Sequence, residues 1–188
     1  MTMQAQNGGE RRGASWWRVL PWVGASALLA APAVAMRLGA DVDWTATDFV
    51  AAGVLLATPL TVFELALRAS RSLAYRAGTV VALGTAFLIT WSSLAVGILG
   101  DENDPINLMF FGVILIAVAG AFLARFRAKG LARAMAATAV AQAATVAVAA
   151  IGGHFEAVII AVFAIGWLLS AALFRRAAQE EAARASPF

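Results

Sequence analysis

The chain has 188 residues, 62% hydrophobic and 13% charged, with no cysteine and a single histidine, His154. A soluble domain is nearer half apolar and a quarter charged, so this sequence cannot make a polar surface over most of its length and its solvent is largely lipid. Without cysteine there are no disulfides, thiolate metal sites, iron–sulfur clusters or cysteine nucleophiles, and one histidine excludes a bis-histidine haem and a histidine-rich zinc site.

The formal charge is +3. Its arginines flank apolar runs, so the charge reads as membrane topology and attraction to anionic headgroups rather than as nucleic-acid binding. The expected partners are the lipid bilayer and other membrane subunits; no cofactor is expected.

A membrane helix needs about 20 mostly apolar residues to cross about 30 Å of hydrocarbon. After a polar tail over residues 1–15, the first candidate span is 19–36, preceded by Arg11, Arg12, Arg18 and a tryptophan pair, Trp16-Trp17. Arg11-Arg12, the apolar run and Ala33-Val34-Ala35 together resemble a cleavable signal peptide, but the tryptophans, two prolines and the length of the run favour a retained helix. Five further spans follow at 49–67, 77–100, 105–124, 134–153 and 157–174. They give an all-α membrane bundle of about six helices over 16–176, with a second tail over 177–188.

The basic residues support the count independently. Arg11, Arg12 and Arg18 precede span one; Arg68, Arg71 and Arg76 lie between spans two and three. Arg125, Arg127, Lys129 and Arg133 lie between four and five, and Arg175, Arg176 and Arg184 follow six. Of the 14 Lys and Arg residues only Arg37 falls on the other side. Basic residues stay in the cytoplasm, which places both terminal segments there. The opposite side carries Asp41, Asp43, Asp48, Asp101, Glu102, Asp104 and Glu156. Trp91 and Trp167 fall deep in their spans, where an indole N–H needs a partner or access to the interface.

Span two contains Glu64, the only acid inside a span. An ionisable residue there can bind a cation or relay a proton. Arg68 follows at the favourable i,i+4 spacing, so a salt bridge at the interface competes with that reading. Pro59 adds a kink beside the acid. Thr45-x-x-Asp48 has the form of a capping box.

Span two also resembles span four. Gly53-Val54-Leu55-Leu56 aligns with Gly112-Val113-Ile114-Leu115, Phe63 with Phe122 and Arg68 with Arg127. The candidate repeat is a helical hairpin, spans two–three and four–five, with chance similarity between apolar helices as the alternative.

Between spans three and four, Asp101-Glu102-Asn103-Asp104 offers oxygen ligands for a hard cation but lacks the EF-hand spacing. Asp104-Pro105 also reads as an N-cap followed by proline in the first turn. Span five is ten-twentieths alanine, suited to close packing against neighbours rather than to facing lipid. Its polar residues, Thr138, Gln142 and Thr145, together with the threonines of span three, either line a path or join helices by hydrogen bonds. His154 follows in a short loop near Glu156; a pH-sensing role has no second feature behind it.

The stretch Trp91-Ser92-Ser93 through Gly100-Asp101-Glu102-Asn103-Asp104-Pro105-Ile106-Asn107 to Phe110 resembles a family of small multi-pass bacterial inner-membrane proteins with no assigned activity. Asp43-Trp44-Thr45-Ala46-Thr47-Asp48-Phe49 and Ala124-Arg125-Phe126-Arg127 fit the same family. The sequence departs from it at Ser93, where asparagine is expected. The resemblance implies an inner-membrane location and carries over no catalytic residues. On the residues alone, a non-enzymatic accessory or structural component comes first, and a small transporter or channel for a cation or small solute using Glu64 second. An intramembrane enzyme has least support.

Overall fold

The computed structural model describes residues 16–95, 97–100, 104–153 and 157–186. The described residues form helices α1 (Trp16–Arg37), α2 (Ala46–Ala69), α3 (Leu73–Ala95), α4 (Leu108–Leu123), α5 (Ala128–Ile151) and α6 (Ala157–Ala185), with one 3-10 turn at Pro105–Asn107. All six helical segments are long and apolar enough to cross a membrane. The chain is therefore a multi-pass, all-helical membrane protein.

Several helices outrun the apolar runs that announce them. α5 begins at Ala128, taking Lys129 and Arg133 into its first turns, and α6 continues past Arg175 and Arg176 to Ala185. Lys, Arg, Glu and Ala are all good helix formers, so hydrogen bonding continues beyond the hydrocarbon. Residues 177–185 are thus helix, and Ala177 is fully buried. The opposite happens in span three. The expected run to Gly100 stops at Ala95. Gly97 and Gly100 adopt φ values of 72° and 67°, open to glycine at little cost, and turn Ile98 and Leu99 inward.

The chain divides into two compact units, Met1–Val62 and Phe63–Phe188. In the first, none of the described side chains in residues 18–62 is buried. The capping box forms as expected: Asp48 accepts from the Thr45 backbone N–H at 2.7 Å, and the Thr45 hydroxyl accepts from the Asp48 N–H at 3.3 Å. Gly53 faces Leu29 of α1, whereas its counterpart in the aligned segment, Gly112, has open space opposite it. The two matched positions have different surroundings.

In the second unit α6 packs against α5 and α3, and α5 also against α4. The buried residues of α5 are Ala128, Leu131, Met135, Thr138, Gln142, Thr145 and Ala149, with Ala139 beside them. The first seven alternate three and four apart, the spacing of a helix that keeps one seam against its neighbours. The other face stays open, with Val140 71% exposed, so α5 is a two-sided helix rather than an enclosed one. Small residues permit close approach. A Cβ on Gly130 would lie 2.6 Å from the Ala124 Cβ, and one on Gly166 would strike the Thr85 hydroxyl.

Candidate functional site

Three polar centres lie in the second unit. The first is at the arginine-rich end. Ser72 caps α3 by accepting from the Tyr75 N–H at 3.2 Å, and its hydroxyl donates to Glu180 Oε2 of α6 at 2.9 Å. Glu180 also meets Arg176 at 3.4 Å. The Tyr75 hydroxyl donates to the Phe126 carbonyl at 2.8 Å, and the Tyr75 ring packs edge-on against Phe174. Arg76 closes the α2–α3 connection by donating to the Ser70 and Leu67 carbonyls.

Phe126 and Arg125 both have positive φ, 56° and 49°. For such residues that conformation costs roughly 1–3 kcal/mol each and persists only where neighbours hold it. Here the Phe126 N–H donates to the Ala121 carbonyl, and Tyr75 fixes the Phe126 carbonyl. The connections carrying Arg71 and Arg76, and Arg125 and Arg127, are thereby joined at one end with the basic part of α6.

The second centre is the α3–α4 connection. Asn107, 3% exposed, accepts from the Ile98 and Leu99 N–H groups at 2.9 and 3.0 Å and donates to the Leu99 carbonyl at 2.9 Å. One side chain thus satisfies three buried backbone groups that no helix serves. Asp104 caps the 3-10 turn through the Ile106 N–H at 3.0 Å. Its other carboxylate oxygen lies over Gly100, where a Cβ would approach it to 2.9 Å.

The third centre is the interior. Thr79, Thr85 and Thr138 are buried, and each hydroxyl donates to the carbonyl four residues earlier in its own helix; half-buried Thr90 does the same. Ser170 instead crosses from α6 to the Gly78 carbonyl of α3 at 2.9 Å. Gln142 is fully buried; its Nε2 donates to Thr145 Oγ1 at 3.0 Å. Among the described residues, Gln142 Oε1, Trp167 Nε1 and Ser93 Oγ are buried with no hydrogen-bond partner in the protein.

Among the described residues, those singled out from sequence do not gather into one site. Glu64 is half-buried on α2 and Arg68 is exposed one turn on. Gln142 lies in the interior of the bundle, and Asp104 is spent on its cap. Asp101, with Glu102, lies outside the described residues, as does His154. Among the described residues no three His, Asp or Glu side chains come together as a metal site. Trp91 is 49% exposed and stacks on Phe87, while Trp167 is 1% exposed.

Sequence reasoning missed Asn107, Ser72, Tyr75 and Glu180. A serine directly before the first apolar residue of α3 is an N-cap signal. The reach of Ser72 to Glu180, 108 positions away, has no local signature. No protein-family model, curated protein or solved structure matches the chain.

Proposed function

We propose that the chain is a non-enzymatic accessory or structural component of a bacterial inner membrane, with both terminal segments in the cytoplasm. The observation that carries this reading is how the interior hydroxyls are used. Thr79, Thr85 and Thr138 each donate their hydroxyl hydrogen back to a carbonyl of their own helix. Such threonines pack helices; a polar path needs hydroxyls directed at a solute.

The orientation rests on charge. Ser72–Glu180 and Tyr75–Phe126 tie together connections rich in arginine, and a basic end belongs on the cytoplasmic side. The resemblance in the 91–110 stretch supports the same location. An accessory role implies other membrane subunits as partners.

The test has two arms. Purification in mild detergent is expected to bring down a stable membrane partner, and reconstituted protein is expected to show no proton or cation flux. Flux that Glu64→Gln abolishes would replace this reading with a small transporter using Glu64.

A further inference from the structure

We infer that a single buried water molecule bridges Trp167 of α6 and Gln142 of α5 at the centre of the second unit. Trp167 Nε1 is a donor and Gln142 Oε1 an acceptor; both residues are at most 1% exposed, and neither atom has a partner within the protein. The amide orientation is fixed by chemistry. The Thr145 hydroxyl donates to the Gln142 backbone carbonyl at 2.7 Å, so it can only accept from the side chain. That requires the NH2 group to face Thr145 and leaves Oε1 as the open end.

Depth and direction agree. Gln142 lies nine residues before Ile151, where α5 ends, and Trp167 ten after Ala157, where α6 begins. At about 1.5 Å per residue the two lie at the same level of this antiparallel pair. On α6, Gly166 and Ser170 face α3, and Trp167 is one step, about 100°, round from Gly166. On α5, Gly130 and Ala134 face α4, and Gln142 sits about 80° round from Ala134 on the buried seam. Both side chains therefore turn into the bundle.

A buried water needs two to four polar partners. This one accepts from the indole N–H and donates one proton to Gln142 Oε1. The Thr85 hydroxyl oxygen, which faces Gly166, next to Trp167 in sequence, and keeps a lone pair while donating to Val81, is an available acceptor for its second proton. In lipid, apolar contact does little to set which residues face each other, so such a bridge pins the register of α5 against α6.

The experiment is proton NMR of the full chain in nanodiscs of perdeuterated phosphatidylethanolamine and phosphatidylglycerol, with 15N-labelled indoles. Trp167 is identified among the six tryptophans by the resonance lost in Trp167→Phe. The expected result is a persistent water cross-peak to the Trp167 indole proton and a downfield indole shift. Gln142→Met should move that shift upfield by about 1 ppm, and Gln142→Glu, which keeps an oxygen acceptor, should largely retain it. No water cross-peak in the wild type overturns the proposal, including the case of a direct indole–amide bond. So does an indole resonance indifferent to Gln142→Met. If Gln142→Met does not fold, the wild-type cross-peak and Gln142→Glu decide.

Discussion

Residues 18–62 and residues 63–186 are both strings of apolar helix, yet they use their side chains differently. In the first region no described side chain is buried; in the second, eight residues of α5 alone are. Helix α1 carries exposed Val19, Leu20, Val23, Leu28 and Val34, whereas α5 is alanine with threonine and glutamine spaced along one face. Lipid tails are as apolar as leucine, so greasiness does not drive one helix onto another. What distinguishes the packed region is small residues at crossing points and polar residues in register. Apolarity alone does not separate the two regions: α1 and α5 are about equally apolar, yet only α5 buries a face.

Glycine substitutions should break the two regions unequally. Gly130→Leu forces side-chain atoms into Ala124 and should cost about 3 kcal/mol or prevent folding. Gly24→Leu, with nothing within 4 Å of the added Cβ, should be close to neutral. Both are read from unfolding midpoints in detergent titrations. Asn107→Ala strands three buried backbone groups and should cost about 2–3 kcal/mol in the same assay; Asn107→Asp, which keeps the acceptor for Ile98 and Leu99, should cost less.

Removing the Tyr75 hydroxyl sharpens the picture at the basic end. Tyr75→Phe keeps the packing on Phe174 and loses one hydrogen bond, about 1 kcal/mol. It should also speed proteolysis at Arg125 and Arg127 by freeing the strained turn. Leu28→Ala on α1, where Leu28 is 65% exposed, should change stability by less than about 0.5 kcal/mol.

How much of this was legible in the sequence varies by element. The six helices were, because long apolar runs punctuated by arginines leave few alternatives. The Thr45–Asp48 and Asp104–Pro105 caps were too, since each is set by residues within three positions. The end of α3 was not. The run through Gly97-Ile98-Leu99 is as apolar as a span, and what holds Ile98 and Leu99 inward is Asn107, from beyond the connection. The extension of α6 was hidden because charge marks where hydrocarbon ends, not where a helix does. The need of Trp167 for a partner was readable from its depth, but its alignment with Gln142 required the α5–α6 pairing. The Ser72–Glu180 bond joins opposite ends of the second unit's sequence and leaves no local trace.

The contrast between the two regions is tested most directly by nitroxide scanning. The chain has no cysteine, so single cysteines along α1 and along α5 can be spin-labelled without background in lipid bilayers. Oxygen accessibility along α5 should oscillate, with minima at Met135, Thr138, Gln142, Thr145 and Ala149, while α1 between Val19 and Val34 should show only shallow dips, at half-buried Ala25, Leu29 and Ala33. A periodic protected stripe on α1 as deep as that on α5, or a flat profile along α5, would contradict the account.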